Sequence, residues 1–318
     1  MPADLISSIN KNTLSIEDLI ALRMIFNSND AVYKFISAGL SIKDIFSLTY
    51  DDLKVVFRFR YPEDIINKLK NYDQYEEDVE EVMIWCEEHQ VQIISFFDDL
   101  YPESIKEIVN PSCLIFCAGN TDLLNYKNSI TIVGTRKCSK YGEKIAAGVS
   151  KFFSSNDINI VSGLAIGIDT IAHEQSLQFN GKTTSILIDL KQISPPKNKN
   201  LARKIVESGG LLIAENIPGT LPEKYHYVAR NRLQAALSRG VFIIEASLNS
   251  GTNSTAEFAL SQNKKIYCPD YSCIKGYPAM SEVSELPQRL ILDGHAESFT
   301  KDNYDQILEF LNSDTTSN

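Results

Sequence analysis

Between Thr131 and Asp169 the chain reads TIVGTRKCSKYGEKIAAGVSKFFSSNDINIVSGLAIGID, and this stretch decides the fold. It holds two apolar strands, Ile130–Val133 and Ile158–Val161, each followed by a glycine-containing turn and a helix. The turns are Gly134-Thr135-Arg136 and Ser162-Gly163-Leu164-Ala165-Ile166-Gly167. A strand running into such a turn aims bare backbone N–H groups at whatever lies above it, which makes an anion site, most often for phosphate. Two such turns at the carboxyl ends of neighbouring parallel strands build one pocket, with Arg136 beside it as a permanently charged phosphate partner. Neither turn has the G-x-G-x-x-G order, and no acidic residue ends the second strand to hold a ribose, so this is not the dinucleotide fingerprint.

Working outward, apolar runs at Val91–Phe97, Leu114–Cys117, Thr183–Ile188, Leu211–Ala214, Val241–Ile244 and Lys265–Cys268 alternate with helical segments. The helices are predicted over Tyr141–Phe153, Asp169–Phe179, Leu201–Glu207, Arg232–Ser238 and Thr255–Gln262. This alternation predicts an α/β fold, a doubly wound and mostly parallel Rossmann-like sheet with its ligand at the carboxyl ends of the strands. Ahead of it the chain carries helical periodicity and no strand run. Ser15-Ile16-Glu17-Asp18 and Ser41-Ile42-Lys43-Asp44 look like capped helix starts, and Tyr61-Pro62-Glu63-Asp64 is a third with proline in the first turn. The expected division is a small all-α domain over residues 1–70 and the Rossmann-like domain over residues 71–318.

The 318 residues carry a formal net charge of −10. That balance gives no global field to attract a polyanion and argues against a broadly polybasic nucleic-acid binder, while leaving a locally basic groove open. Acidic residues between Glu76 and Glu88 interleave with Val79, Val82 and Trp85, which reads as a helix with a solvated acidic face. Residues 1–20 have no basic start followed by an apolar run, and no segment is apolar for long enough to span a bilayer, so a cytoplasmic protein with no membrane association is expected. The six cysteines are scattered, with no histidine at ligand spacing, and read as reduced thiols without a metal. Cys138 stands apart: the helix starting near Tyr141 puts its positive end beside the thiol, which lowers a cysteine pKa.

Three further stretches fall at strand ends. Glu215–Thr220 leads to Arg230-Asn231-Arg232, whose arginines at a helix start suit a phosphate or a base edge. Asn249-Ser250-Gly251-Thr252 is a third small-residue turn entering a helix, with the Ser250 and Thr252 hydroxyls supplementing its N–H groups. Pro195-Pro196-Lys197-Asn198-Lys199 adds positive charge.

Together the run VGTR…YG…IVSGLAIGIDTIAH, then RNR, then Glu245-Ala246 before SGT, and LILDGH near the end resemble the DNA-processing protein A family, also called Smf. Phe97-Asp98-Asp99-Leu100-Tyr101-Pro102 and Leu114–Asn120 look like that family's lead-in, and residues 1–70 resemble the helical domain many members carry in front. The resemblance covers Val91 to Ala296. It implies a protein that binds single-stranded DNA, usually as a homodimer, and loads the RecA recombinase onto DNA in natural transformation, with no catalytic residue, metal or cofactor. It further implies that Gly134, Thr135, Arg136, the loop Ser162, Gly163, Leu164, Ala165, Gly167 and Asp169, and Lys197 with Asn198 hold the DNA backbone. Arg230, Asn231, Arg232, Ser250, Gly251 and Thr252 complete the implied nucleic-acid site.

The chain departs from the family's pattern where many members have glycine and then Tyr-Pro after the third strand of the core. Here Asp189 and later Ser194-Pro195 stand instead, an acid and a lost aromatic at a pocket edge. Pro269-Asp270 replaces the usual Pro-Gly, residues 275–286 are unusual, and only one short helix, Asp302–Leu311, is expected in place of a winged-helix domain. Two rival functions are open. Ser250-Gly251-Thr252 with Glu257 resembles the site of phosphoribohydrolases that cleave nucleoside monophosphates, although extra glycines are missing and Glu257 stands two positions too far from the threonine. The other is a sensor that binds a free nucleotide without turnover. No Walker lysine turn is present, which argues against an ATPase.

Overall fold

The computed structural model describes residues 14–37, 47–49, 51–52, 55, 62–274 and 281–313. The predicted helix start at Ser41–Asp44 and residues 275–280 lie outside them. The chain forms two compact units, one made of Met1–Cys117 with Glu215–Pro218, the other of Ala118–Ala214 with Gly219–Asn318.

In the first unit, helices α1 (Ile16–Phe26), α2 (Asn29–Ser37), α3 (Pro62–Lys70) and α4 (Gln74–Glu88) precede strand β1 (Val91–Ser95), the short α5 (Glu103–Lys106) and β2 (Leu114–Gly119). The start of α1 follows the sequence signal closely. Ser15 Oγ accepts the Asp18 N–H at 3.1 Å while the Asp18 carboxylate accepts the Ser15 N–H at 2.9 Å, a reciprocal cap that satisfies two otherwise orphaned donors. Glu215, expected in a polar loop above the sheet, is instead buried here. Its carboxylate accepts the Ser112 hydroxyl at 2.7 Å and the Asn29 amide at 3.4 Å.

The second unit alternates strand and helix: β3 (Ser129–Val133), α6 (Lys140–Ser155), β4 (Asn159–Ser162), α7 (Ile168–Gln178), β5 (Thr183–Leu187), α8 (Lys199–Glu207), β6 (Leu211–Ala214), α9 (Lys224–Ala236), β7 (Gly240–Ile243), α10 (Gly251–Ser261), β8 (Lys265–Pro269), α11 (Glu285–Leu292), β9 (Glu297–Phe299) and α12 (Tyr304–Asn312). Its strands lie in the order β6-β5-β4-β3-β7-β8-β9, and each neighbouring pair is parallel. The expected doubly wound sheet is present. Ile130 and Ile132 face a core with Val149 and Phe153 of α6, Ala172 of α7 and Ile307 of α12. On the other side Val133, Val241 and Ile243 pack against Ala235 of α9, Ala256 of α10 and Leu290 of α11. Alternate residues of one strand therefore serve opposite faces, as the pleat requires.

Chain direction across the sheet reverses beside β3. Its neighbours are β4 on one side and β7 on the other, with Val133 paired to Ile243. The connections from β3 and from β7 leave in opposite directions, so a crevice opens above the ends of these two strands.

Helix α9 departs from expectation. It starts at Lys224, behind a Glu223 cap in which the Glu223 N–H donates to His226 Nδ1 at 3.0 Å, and not near Arg232. Its first turns bury His226, Arg230 and Asn231, and apolar burial starts only at Leu233, so the apolar period that marks a helix in sequence is missing from its start.

Candidate nucleic-acid interface

The crevice is a cavity of about 380 Å³ enclosed by the turns after β3 and β4, by α9 and by the start of α10. Ten of the expected residues line it: Gly134, Thr135, Arg136, Ala165, Asp169, Arg230, Asn231, Ser250, Gly251 and Thr252. Gly163 lines a smaller cavity of about 70 Å³ that shares Arg136, Ala165 and Arg230 as its wall. Lys197 and Asn198 line a third cavity, between α7 and α8, that has no residue in common with the first. Ser162, Leu164, Gly167 and Arg232 line none of the three. Ser162 Oγ donates to Ile132 O at 2.6 Å and Arg232 Nη1 to Ala229 O at 2.7 Å, while the Leu164 side chain is buried.

The turns differ in how much of their donor capacity remains. The Asp169 carboxylate accepts the Gly163 N–H at 3.1 Å and the Ala165 N–H at 3.3 Å, so the turn after β4 already holds an anion of its own. At the turn after β3, Thr135 N–H donates to Glu245 O at 2.6 Å. The helix that follows, α6, is capped by Ser139 Oγ, which accepts from Tyr141 N and Gly142 N and donates to the Glu245 carboxylate at 2.5 Å. The third turn is open at its helix start. Ser250 precedes α10 without capping it, because its hydroxyl turns back to Ser247 O at 2.7 Å. The first N–H groups of α10, at Gly251 and Thr252, carry no hydrogen bond among the described residues, and both residues line the cavity. A helix start in this state presents unmet donors and the positive end of the helix dipole.

Arg230 acts as a clasp. One of its nitrogens, Nη1, donates to Gly163 O at 2.8 Å and also to Ile186 O, tying α9 to the turn after β4 and to β5. Burial lowers its pKa, with the Asp169 charge opposing the shift, and burial raises that of Asp169 against the pull of Arg230. Glycine is required beside the clasp, since a Cβ on Gly163 would sit 2.2 Å from Arg230 Nη1. Gly167 is required for backbone reasons too: its φ is +89° and a Cβ there would meet Thr135 O at 2.5 Å. Asn231 Nδ2 donates to Gly251 O at 3.2 Å and Ser254 Oγ at 2.8 Å, which holds the start of α10 against α9.

Five residues that line the cavity were not among the expected site residues: Val133, Lys137, Tyr227, Gln234 and Thr255. Tyr227, Arg230, Asn231 and Gln234 are spaced as one face of a helix, a signal that would have found Tyr227 and Gln234 had α9 been placed correctly. The Arg136 guanidinium lies over the Tyr227 ring, 5.8 Å from its centroid, and the Tyr227 hydroxyl is 3.2 Å from Ser194 Oγ. An aromatic ring thus stands beside the position whose aromatic was counted as lost.

The other departures are also resolved by geometry. Asp189 is buried and does not line the cavity. Its carboxylate accepts the N–H groups of Lys191, Gln192 and Gly219 at 3.0, 3.1 and 3.1 Å, a turn-holding role. Asp270 likewise serves its own turn, accepting Ser272 N–H at 3.0 Å. Glu257 is exposed on α10 and accepts from Asn253 Nδ2 at 2.9 Å, away from the cavity lining. Cys138 contradicts the expected activation. Burial, with Glu143 and Glu245 nearby, raises its pKa and outweighs the helix start. All six cysteines are free thiols, and among the described residues no group of His, Cys, Asp and Glu is placed to hold a metal ion. Among those residues no helix is long and apolar enough to cross a membrane.

A parallel sheet whose strand order reverses beside a crevice defines a Rossmann-like protein, and the uncapped helix start with the exposed Arg136 and Lys137 lining that crevice suits an anion. The chain belongs to the DNA recombination-mediator protein A family, whose model matches residues 92–312. It is 37% identical over 182 residues to the DNA processing protein DprA of Streptococcus pneumoniae, a stretch covering 57% of this chain and 64% of that protein. It is 32% identical over 190 residues to the Smf protein of Escherichia coli, covering 59% of this chain and 50% of that one. The matches thus span about half to two thirds of these curated relatives. Among solved structures, the X-ray structure of the pneumococcal protein aligns with a TM-score of 0.76 at 30% identity, covering 93% of this chain and 98% of that one. A Helicobacter pylori DNA processing protein A, described for its single-stranded DNA binding mode, aligns with a TM-score of 0.61 at 28% identity, covering 70% of this chain and 97% of that one.

Proposed function

We propose that this protein binds single-stranded DNA through its phosphates at the cavity beside β3 and β7, and hands the strand to the RecA recombinase. The observation that carries the reading is the uncapped start of α10, facing the same cavity as Arg136. Backbone donors and an arginine hold a phosphate chain without reading bases, which suits a mediator acting on any sequence. Membership of the recombination-mediator family and the single-stranded DNA binding of the Helicobacter relative support the same reading. We assign the protein to the cytoplasm, as a homodimer, with residues 1–70 as a helical domain separate in role from residues 71–318. No catalytic step is assigned: Glu257 is exposed, accepts from Asn253 and is not among the residues lining the cavity where a sugar cation would have to be stabilised.

Fluorescence anisotropy with a labelled oligothymidylate tests the binding, and the affinity should fall as salt rises, with a shallow slope set by few cationic contacts. Binding that ignores salt, or an affinity no greater than that for AMP, overturns it. For the second half, RecA should assemble faster on DNA coated by single-strand-binding protein when this chain is added. An unchanged assembly rate removes the RecA assignment.

A further inference from the structure

Helix α6 carries a line of cations that the cavity does not account for. Lys140, Lys144 and Lys151 stand at positions i, i+4 and i+11, so they share one face of the helix, and all three are exposed. Ala147, at i+7 on the same face, puts neither an acid nor bulk between them. Lys137, also exposed, lies just ahead of the helix and lines the cavity, so the line begins at the crevice. None of the four lysines is in a salt bridge among the described residues, and neither is Glu143, the single carboxylate of α6. The Lys151 ammonium is held over the Phe179 ring, 4.7 Å from its centroid. This placing runs against the helix's own field. Lys140 opens the first turn, at the positive end of the dipole, while the last turn, which favours cations, has no basic residue. In a chain of net charge −10, neither helix stability nor ion pairing explains four uncompensated cations in line.

We propose that the exposed face of α6 is a track for the backbone of single-stranded DNA, along which a strand held at the cavity continues past Lys140, Lys144 and Lys151. The proposal rests on the reading of the cavity as the place where DNA is bound. Its pitch suits an extended polyanion, since Lys140 to Lys144 is a rise of about 6 Å and Lys140 to Lys151 one of about 16 Å along the helix. Successive phosphates of an extended strand repeat on that scale, whereas an isolated phosphate cannot span the line. Ammonium groups on flexible stems hold phosphates as point charges and read no bases. Continuity with the cavity through Lys137 favours a nucleic-acid strand over an anionic lipid surface. So does the absence of any exposed large apolar side chain on α6, which leaves the face without the apolar half that a membrane-surface helix inserts.

Fluorescence anisotropy on the full chain, with oligothymidylates from about three to about twenty bases, tests the track. The wild type should bind more tightly, and with a steeper dependence on salt, as the strand lengthens beyond the cavity. Lys140→Gln, Lys144→Gln and Lys151→Gln together should make the salt slope on the longest strand shallower by about 2, the counterions of three single-strand phosphate contacts, and should leave the shortest strand bound as in the wild type. A control that removes three charges from the first unit, Lys34→Gln with Lys68→Gln and Lys106→Gln, should keep the wild-type slope. Melting curves confirm that each variant is folded. A wild-type slope in the α6 variant overturns the track and leaves the DNA reading in place. An equal loss in the control overturns it too, because net charge alone is then at work. Phosphatidylglycerol vesicles that bind the wild type and not the α6 variant, with DNA affinity the same in both, reassign the face to a membrane. A wild type that binds no strand of any length overturns the DNA reading and the track together.

Discussion

The Asp169 carboxylate accepts the Gly163 N–H at 3.1 Å, across the turn after β4. A loop whose glycines look built to receive a phosphate is thereby closed by an acid from its own helix, with the Arg230 charge nearby. Removing the acid leaves the Gly163 and Ala165 N–H groups unpaired in a buried place. Asp169→Ala is expected to lower stability by roughly 2–4 kcal/mol in urea titration, the range for unmet buried donors beside a charge that has lost its counter-ion. A loss below measurement error shows that the turn keeps its shape without the acid.

His173 predicts a pH dependence. Thr183 Oγ1 donates its only proton to Ile160 O at 2.7 Å, so His173 Nδ1, 2.7 Å away, is the donor between the two, and the buried Nε2 is left bare. Burial, with the Arg230 charge adding to it, pushes this histidine down from 6.5 to about 3. The unfolded chain takes up the proton below about 6.5 and the folded chain does not until about 3, so stability falls as pH drops through that window. The slope from this one group is about 1.4 kcal/mol per pH unit. His173→Gln should lose less stability than the wild type between neutral pH and pH 5, and parallel losses in urea melts would contradict the assignment.

Arg136 is exposed in a turn and touches little besides the Tyr227 ring. Arg136→Ala should therefore melt at the wild-type temperature while binding an oligothymidylate roughly 1–3 kcal/mol more weakly, the range for one lost charge-assisted bond. Unchanged affinity in the folded variant moves the site elsewhere.

Incubation with AMP and other nucleoside monophosphates should release no free base, since the Glu257 carboxylate is engaged with Asn253 on the outer face of α10. Base release that vanishes in Glu257→Gln would make the chain a phosphoribohydrolase.

How far the sequence carries can be judged on particular elements. The strand Ile130–Val133 and its partners were legible because strands covered on both faces are apolar without interruption. The first turns of helix α9 were not, since the residues they bury are polar: Arg230 and Asn231 face the crevice ahead of the apolar Leu233, Ala235 and Ala236. The crevice itself was visible in the glycine turns, as were ten of its lining residues. Which turn keeps its donors was not visible. Asp169 is close in sequence to the N–H groups it fills, but Glu245 reaches Ser139 from over a hundred residues away, with Oε2 at 2.8 Å from Ser139 N. Occupancy of a donor is a property of the folded neighbourhood and leaves no local mark. Tyr227 beside Ser194 is the same lesson for a side chain, supplied from another helix to the place where sequence order showed a gap.

The pairing of β3 with β7 has a consequence for how the protein is made. During synthesis β3 leaves the ribosome long before β7, which registers against it through Val133 and Ile243. Until then one edge of β3 stands open, with unpaired backbone groups able to join another chain. The start of α10 appears later still, so a truncated or paused product carries Arg136 but not the helix end that faces it. Nascent chains are thus incompetent for the strand they will eventually hold until nearly the whole polypeptide has emerged, and an early release would yield an aggregation-prone fragment rather than a weak binder.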